Sequence, residues 1–556
     1  MTAFKPSSRA PALFHRKKRH VLPWLLVLLL IGGSITGGVL WLRRDKGPRE
    51  VERTKVVRAC DIPVDVLEKV WNGYARGRSG DVLAIERLPN QFTTRHSTPF
   101  AYTQDVPLLF YGPGWIRPME SNEPVTVADL APTLAELLGF NGPDGFTARD
   151  GNVLADALAP DREGMPKLIL NVVWDGGGDN VLEQWPDSWP NLARLMERSA
   201  NFTNATVGSS PSITPSIHAN MGTGAFPRHH GLADTKIRVD GGKRIVDAWE
   251  GISPRYLRDE TLADRWDLAN GNVPLIGMLA RDAWHLGMIG HGSYLEGADQ
   301  DIAVMDDFGS VEFRDPKAYY RLPDYVLGND GLQEAIDEVD LRDGEADQRW
   351  LGNPLVAVDG RIRETPAWSI YQTQVLEEVL RAEGFGSDDV TDLFYVNYKS
   401  TDLIGHSFNM VEPEERDALE EQDRQLDVLL RMLDEIAGRG NWVMTLTSDH
   451  GMTPYPSVTG GWSIVMSEMG ADIEREFGKG IFVTNRGYQL FLDKKEARRR
   501  DVTARDVARF IRNYTIEQNA RGDIPSAFAD RAEEKVFLTA VTPKELKEAL
   551  ACARET

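Results

Sequence analysis

A hydroxyl side chain begins one helix-like stretch, at a position where it could serve as a nucleophile. Residues 212–231 read SITPSIHANMGTGAFPRHHG, with Thr214 directly before Pro215. Proline is common in the first turn of a helix, so the pair predicts a helix start whose exposed N–H groups face the Thr214 oxygen. Such a position favours an alkoxide and a bound phosphoryl group. Taken alone, the stretch is more typical of a simple N-cap, which is the alternative.

Carboxylates and imidazoles follow three apolar runs that suit buried strands. With the run that each follows in parentheses, they are Asp175 (168–175), Asp402 and His406 (393–398), and Asp449 and His450 (442–449). Ligands of α/β sheets bind outside the carboxyl ends of the strands. Three carboxylates and two imidazoles at one such edge predict a metal site. Beside a metal site, the Thr214 oxygen becomes a credible nucleophile, because a bound cation lowers its pKa.

The elements that must position these residues alternate along the chain. Short apolar runs predict strands, and patterned stretches between them predict helices. The runs are 81–88, 106–112, 168–175, 275–280, 393–398 and 442–449, and the helical stretches are 127–139, 412–440, 502–512 and 542–554. This alternation predicts an α/β fold with a mainly parallel central sheet and helices on both faces.

Charge is distributed unevenly along the sequence. The 556 residues carry a net charge of −21, although residues 1–58 hold thirteen Lys and Arg against three Asp and Glu. The remaining body is strongly acidic, so we expect no nucleic-acid partner, because the phosphate backbone would be repelled. A small phosphorylated substrate would also be repelled unless bound cations reverse the field locally.

An uncharged apolar run predicts a membrane anchor. The run covers 21–42, between a basic segment (1–20) and a charged linker (43–58), and no small-residue cleavage site follows it. A cleaved signal peptide is the alternative. We predict a single-pass protein of the cell membrane whose body, 59–556, forms one catalytic domain on the extracytoplasmic side.

Four separated motifs resemble those of a known family. They are Thr214 with His218, Thr223-Gly224 and the Pro227–Gly231 segment; DGG at 175–177; DLIGH at 402–406; and SDHGM at 448–452. In this order they resemble the type I phosphodiesterase/nucleotide pyrophosphatase branch of the alkaline phosphatase superfamily. The resemblance implies a hydrolase of phosphoric esters with an alkaline phosphatase-like fold.

The family's pattern requires one more histidine downstream, yet no histidine follows His450. The segment RHSTPFAYTQDVPLLFYGPGW (95–115) resembles the family's C-terminal part, and it contains His96. We therefore predict a circular permutation, in which 59–150 corresponds to the family's C-terminal part. The stretch 165–556 would supply the rest, with a cap-like insertion around 294–365. The alternative is an unrelated domain at 61–150 and a site that lacks one ligand.

The resemblance also implies the metal ligands. One metal would be held by His96, Asp402 and His406, and the other by Asp175, Asp449, His450 and the Thr214 oxygen. Mixed imidazole and carboxylate ligation suits zinc, so we expect two divalent ions, both Zn²⁺. The implied reaction is attack by Thr214 on phosphorus, followed by hydrolysis of the threonine intermediate.

The substrate side is less similar to the family. Asp234-Thr235 stands where the family places an asparagine, so Thr235 is predicted to donate to a phosphate oxygen. Arg281 is a candidate replacement for a Lys-x-Arg pair, whereas His285 and His291 are interpreted as structural. The permutation would bring both chain ends of the body together, which makes Cys60 and Cys552 candidates for a disulfide.

The sequence thus predicts a membrane-anchored, metal-dependent phosphodiesterase or phosphatase that acts on a small phosphorylated substrate. Two alternatives remain open at this point. One is a phosphoryl-group transferase of the cell envelope, and the other is a non-catalytic metal-binding envelope protein. A sulfatase is excluded because neither cysteine lies in a C/S-x-P-x-R setting.

Overall fold

The computed structural model of this chain describes residues 59–92, 96–306, 312–316, 318–328, 330–356 and 361–555. These ranges belong to one compact unit, Val56–Thr556. The predicted basic segment, membrane span and linker (1–58) lie outside the described residues. Within the described ranges, no helix has both the length and the apolar character needed to cross a membrane.

The strands, in chain order, are β1 (Val82–Glu86), β2 (Leu108–Tyr111), β3 (Met119–Ser121), β4 (Val125–Thr126), β5 (Leu168–Trp174), β6 (Ala200–Phe202), β7 (Ala205–Thr206), β8 (Lys236–Val239), β9 (Arg244–Asp247), β10 (Ile276–Ala280), β11 (Asp301–Met305), β12 (Tyr320–Arg321), β13 (Arg349–Trp350), β14 (Asn353–Pro354), β15 (Asp392–Tyr398), β16 (Trp442–Thr447), β17 (Phe482–Arg486), β18 (Gln489–Leu492) and β19 (Phe537–Val541).

The α-helices are α1 (Val64–Gly73), α2 (Ala101–Gln104), α3 (Leu130–Leu137), α4 (Asp179–Gln184), α5 (Pro190–Met196), α6 (Thr214–Thr223), α7 (Pro227–His230), α8 (Leu262–Ala269), α9 (Gly331–Asp340), α10 (Pro366–Glu383), α11 (Ser400–Ser407), α12 (Pro413–Leu433), α13 (Pro456–Thr459), α14 (Met466–Phe477), α15 (Lys494–Arg499), α16 (Ala504–Arg512), α17 (Ile516–Asn519) and α18 (Pro543–Glu555).

A large mixed sheet organises the fold. In the described part of the chain its order is β12-β11-β10-β15-β5-β16-β2-β6-β3. The strands from β12 to β16 run parallel to one another, whereas β2 pairs with β16 in the antiparallel sense. The predicted α/β class is confirmed, and the carboxyl ends of β15, β5 and β16 lie side by side.

Both faces of this sheet are covered, as the continuous apolar character of its central strands requires. In β5, Ile169 and Val173 pack into one core, together with side chains of α3, α6 and α8. The alternating residues Leu170, Val172 and Trp174 pack into a second core, with side chains of α10 and α12. Successive side chains of a strand point to opposite faces, so helices lie on both sides of the sheet.

A second sheet has a separate core. It has the antiparallel order β17-β18-β1-β19, so the strand expected at 81–88 pairs outside the main sheet. Next to it, α18 packs against α1 and against the turn Ala59–Asp61, and Arg554 forms an ion pair with Glu68 at 2.7 Å. The two ends of the described body therefore lie together.

The predicted disulfide is not formed in the structure. Cys60 lies in the Ala59–Asp61 turn and Cys552 in α18, and both are half-buried without a bond between their sulfurs. The ends are instead held by apolar packing in the core of the second sheet, with Ile62, Val66, Leu546 and Leu550 buried there.

The stretch predicted as a cap-like insertion around 294–365 contributes to the main sheet. Its strand β11 pairs in parallel with β10, and β12 continues the sheet at its edge. Every residue of β11 is buried, although an aspartate begins the strand and breaks its apolar pattern. Residues 301–305 and 320–321 of this stretch are therefore strands of the main sheet, whereas the insertion itself stays a prediction.

Candidate metal centre and nucleophile

Three adjacent strand ends carry the predicted acids. Asp175 directly follows β5, and Asp449 and His450 lie just beyond β16. The loop after β15 turns at once into α11, which carries Asp402 and His406 four residues apart on one face. Because these parallel strands are neighbours in the sheet, their carboxyl ends bring the side chains to one edge.

Thr214 is the first residue of α6 and faces this edge. Ile213 before it is extended, Pro215 occupies the first turn, and the helix ends where Gly224 adopts a left-handed φ of 61°. Thr214 is 4% exposed, and the whole of α6 is buried. The helix start therefore presents a hydroxyl to an enclosed site rather than to solvent.

A first ligand group joins His96 to α11. Single donor atoms of His96, Asp402 and His406 lie within 4.8 Å of one another. The Oδ1 atom of Asp402 is 3.3 Å from Nε2 of His406 and 3.8 Å from Nε2 of His96. His96 is fixed by its Nδ1–H, which donates to the carbonyl oxygen of Ser212 at 2.8 Å. His96, which comes from the segment 59–150, thus lies beside Asp402 and His406.

A second group of donors adjoins the first. It comprises Asp175, Asp449 and His450, whose donor atoms also lie within 4.8 Å of one another. Nε2 of His450 is 3.4 Å from Oδ2 of Asp449 and 3.6 Å from Oδ1 of Asp175. The His450 ring stacks on that of His96 with centroids 3.7 Å apart, so the two groups form one cluster.

The chemistry of this cluster fits divalent cations. Oδ1 of Asp402, Oδ2 of Asp449 and Nε2 of His450 are buried without a hydrogen-bond partner, which is costly unless a further group binds them. Burial lowers the pKa of both His96 and His450, so the rings are neutral. Their Nδ1–H groups donate to backbone carbonyls, which leaves each Nε2 lone pair directed into the cluster. Nitrogen and carboxylate donors together suit zinc.

A buried lysine, which the sequence interpretation did not use, lies at the centre of the cluster. Nζ of Lys399 is 2.6 Å from Oδ1 of Asp175, 3.0 Å from Oδ2 of Asp402 and 3.1 Å from Oγ1 of Thr214. Burial disfavours its ammonium form, yet Asp175 and Asp402 raise the pKa of Lys399 above its usual value. The nucleophile candidate thus has a permanently charged hydrogen-bond donor.

The same lysine controls the acids around it. Burial favours neutral carboxyl groups, but Lys399 holds the pKa of Asp175 and that of Asp402 below the usual range. Burial and the charge of Asp175 raise the pKa of Asp449. The available signal was the position of Lys399, three residues before the DLIGH motif that begins at Asp402.

A layer of polar side chains supports Asp175 from behind. Nδ2 of Asn397 donates to Oδ2 of Asp175 and to Nε2 of His218, each at 3.0 Å. Nδ1 of His218 donates to the Thr214 carbonyl oxygen at 2.9 Å, which ties the layer to the start of α6. Nε2 of His285 lies 3.5 Å from Oδ2 of Asp175, and Asp175 and Asp282 raise the pKa of His285 to about 9 against the effect of burial.

A pocket of about 260 Å³ opens onto the cluster. Thr214, Lys399, Asp402 and His406 form its floor. Its walls include the predicted Arg281 and Thr235 and also residues that were not predicted, namely Trp284, Arg486 and Gly487. A lining with cationic side chains, an aromatic ring and a hydroxyl suits a ligand in which an anionic group is attached to a flat or apolar group.

Two predicted polar residues have partners of their own. The Thr235 hydroxyl donates to Oδ1 of Asp234 at 3.1 Å, and Gln489 donates to Oδ2 of the same acid at 3.0 Å. Burial raises the pKa of Asp234 to about 7. His291 lies outside the pocket lining, with Nδ1 2.8 Å from Oδ2 of Asp264, as its structural interpretation implied.

Comparison with known proteins gives related sequences over much of the chain. Alkaline phosphatase PafA of Elizabethkingia meningoseptica is 24% identical in a 388-residue alignment that covers 59% of this chain and 69% of the relative. Alkaline phosphatase PhoV of Synechococcus elongatus is 32% identical in a 347-residue alignment that covers 54% of this chain and 62% of the relative. The structure of PafA superposes with a TM-score of 0.50 at 17% identity, covering 68% of this chain and 84% of PafA.

The fold is thus alkaline phosphatase-like. The family model described as type I phosphodiesterase / nucleotide pyrophosphatase matches residues 169–545, which is more than half of the chain. The chain therefore belongs to the type I phosphodiesterase / nucleotide pyrophosphatase family of the alkaline phosphatase superfamily and is a hydrolase of phosphoric esters.

Proposed function

We propose that this protein is a membrane-anchored, metal-dependent phosphoric ester hydrolase in which Thr214 is the nucleophile. The observation that carries the proposal is the contact of Thr214 Oγ1 with Lys399, whose ammonium also contacts an acid of each ligand group. The hydroxyl therefore lies where both groups meet. A structural metal site has no need of a hydroxyl at that point.

Two divalent ions, which we propose to be zinc, fit the residues. His96, Asp402 and His406 would hold one, and Asp175, Asp449, His450 and the Thr214 oxygen would hold the other. Bound there, the ions supply positive charge that stabilises the Thr214 alkoxide and the phosphoryl oxygens.

Side chains of the protein itself activate the nucleophile and hold it in position. The Lys399 ammonium donates to Thr214 Oγ1, which lines the pocket. This oxygen forms a bond to phosphorus while the bond from phosphorus to the ester oxygen breaks, and the Thr214 hydroxyl proton ends on that oxygen as the alcohol leaves. The resulting threonine phosphate is hydrolysed by water. His218 and Asn397 keep Thr214 and Asp175 in place during these steps through the bonds described above.

The pocket walls support a small phosphorylated substrate. Arg281, Arg486 and Lys399 bring positive charge to a lining that also contains Asp234, Asp282 and Asp402. Bound cations would add the net attraction for a phosphoryl group, and Trp284 supplies a flat apolar contact. Thr235 stays a candidate donor, although its hydroxyl must turn from Asp234 to reach substrate.

Circular permutation remains our proposal for the order of the segments. In its support, the family match begins at residue 169, after the segment 59–150. That segment supplies β1 to the second sheet, between β18 and β19, and supplies β2 to the main sheet beside β16. Strands that are inserted among the last strands of the chain are expected of a relocated C-terminal part.

We also propose that the anchor at 21–42 holds the catalytic domain on the extracytoplasmic face of the cell membrane. The run is uncharged, flanked by basic residues and long enough to span the hydrocarbon core.

The function is tested with the full-length protein in detergent. Hydrolysis of 4-nitrophenyl phosphate and of bis(4-nitrophenyl) phosphate is measured after chelation and after readdition of zinc. We expect turnover of at least one ester that zinc restores. Absence of zinc-dependent turnover on both would contradict the proposal, and the ratio of the two rates gives the ester preference.

A further inference from the structure

A second cluster of three carboxylates lies outside the catalytic site, where α8 meets the loop before β11. Donor oxygens of Asp267 in α8, Asp299 in the loop and Asp301 at the start of β11 lie within 4.8 Å of one another. Asp267 and Asp301 are 4% and 7% exposed, whereas Asp299 is exposed. Two buried acids thus converge beneath an accessible third.

In the part of the chain that the structure describes, no positive charge pairs with any of the three carboxylates. Among the described residues, no Lys, Arg or His forms an ion pair with them and no donor hydrogen-bonds to their oxygens. Arg321 is the cation whose charge reaches Asp301, but its two terminal nitrogens are bonded to Glu383. The neighbouring Asp264 is satisfied by Thr261 and His291.

Orphaned oxygens independently point to a missing ligand at this junction. Oδ1 of Asp267 is buried without any partner, and Oδ1 of Asn272 is in the same condition. Asn272 lies there because its N–H donates to the Asp267 carbonyl oxygen at 3.0 Å and its Nδ2 donates to the Gly297 carbonyl oxygen at 2.9 Å. A buried polar atom without a partner costs free energy that a bound cation would recover.

We propose that Asp267, Asp299 and Asp301 bind one calcium ion. All available donors are oxygens, which excludes the zinc-like chemistry of the catalytic cluster. Three protein carboxylates suit calcium, since magnesium keeps most of its water and uses one or two carboxylates. The ion would fasten the end of α8 to the first residue of β11.

Burial and mutual repulsion give the same indication. They raise the pKa of Asp267 to about 7 and that of Asp301 above its usual range. A cation would allow both acids to stay ionised.

The experiment uses full-length, zinc-loaded protein whose unfolding temperature is followed while CaCl₂ or MgCl₂ is added. At calcium concentrations well above Kd, we expect the unfolding temperature to rise by on the order of 3 °C. The rise should persist in Asp402→Asn, which alters the catalytic cluster, and in Glu296→Gln, which removes an exposed acid from the same loop. It should vanish in the double variant Asp267→Asn/Asp301→Asn.

The proposal is overturned if calcium has no effect, if the double variant responds like the wild type, or if magnesium acts equally well at the same concentration. Should the double variant fail to fold, Asp299→Asn replaces it, because its side chain is exposed. Calcium titration of that variant should then give a Kd roughly tenfold higher than the wild type, and an unchanged Kd overturns the assignment. Loss of the calcium effect alone leaves the proposed hydrolase function untouched.

Discussion

Two clusters of three aspartates in this molecule differ in what surrounds them. In the proposed catalytic cluster, the ammonium of Lys399 contacts Asp175 and Asp402, and Asp449 lies with Asp175 and the neutral His450 ring. In the cluster of Asp267, Asp299 and Asp301, oxygen atoms alone converge and no cation of the described chain pairs with them.

The difference shows that carboxylates alone do not define a catalytic centre. In the proposed centre, nitrogen donors would suit a zinc-like ion. A lysine there keeps two acids ionised, and a hydroxyl lies within hydrogen-bond distance of that lysine. The all-oxygen cluster has none of these and suits a structural calcium ion.

The largest expected effect comes from removing the Thr214 hydroxyl. This group belongs to the proposed catalytic cluster, and the second cluster has no counterpart to it. We expect Thr214→Ala to lower kcat by roughly 10⁴-fold, because the covalent step is lost, while its zinc content is retained. Steady-state kinetics and metal analysis check both. Thr214→Ser, which keeps a hydroxyl, is the matched control and should retain measurable turnover; full activity in the alanine variant would refute the role of Thr214.

Selective chelation separates the two clusters. The nitrogen chelator 1,10-phenanthroline should lower activity by about 10²-fold or more, because it competes for zinc and has little affinity for calcium. The calcium-dependent rise in unfolding temperature should remain. Simultaneous loss of both effects would show that the clusters are not independent.

Lys399 supplies the buried positive charge that the proposed catalytic cluster has and that the described surroundings of the second cluster lack. We expect Lys399→Met to lower kcat by about 10²-fold, since Thr214 Oγ1 loses its charged donor. Lys399→Arg keeps the charge and should recover part of the activity, with zinc content measured in both. Unchanged kcat in Lys399→Met would mean that the lysine serves folding alone.

The smallest expected effect concerns stability and comes from a single buried acid, Glu86. It shows how burial alone changes the pKa of a carboxyl group that has no partner. Glu86 in β1 is fully buried, neither carboxylate oxygen has a hydrogen-bond partner, and burial raises its pKa from 4.5 to about 8. As pH rises, Glu86 ionises in the unfolded chain before it ionises in the folded chain. The free energy of unfolding therefore falls between about pH 4.5 and pH 8.

We therefore expect Glu86→Gln to be more stable than wild type by about 3 kcal/mol at pH 7, and by much less near pH 4. Urea unfolding at both pH values checks this. Glu533→Gln, at an exposed position, is the control and should change little. Equal stability differences at the two pH values would show that Glu86 is ionised in the fold.

Much of the main sheet follows from local sequence. The runs that became β5, β15 and β16 are continuous and apolar because both of their faces are covered. The partners of β1 could not be predicted, because β18 and β19 lie more than 400 residues away. The strand β11 was missed because an aspartate of the second cluster begins it.

The candidate site was predictable where residue types repeat a known spacing, as in DLIGH and SDHGM. Lys399 was not predicted, although it lies three residues before Asp402. A lysine is rarely buried unless acidic partners surround it, and here the fold brings those partners together. Trp284 and Arg486 approach the pocket from separate elements, and their sequence neighbourhoods carry no sign of it. The calcium cluster is assembled in the same way, from a helix end and a loop.

His96 comes from a segment outside the family match, yet its Nε2 lies 3.8 Å from Oδ1 of Asp402. Anomalous diffraction at the zinc edge from crystals of the zinc-loaded enzyme tests this directly. We predict two adjacent peaks, one of them bonded to Nε2 of His96, Asp402 and His406. A peak near Asp402 and His406 with the His96 ring turned away from it would contradict the proposed centre and the permuted order.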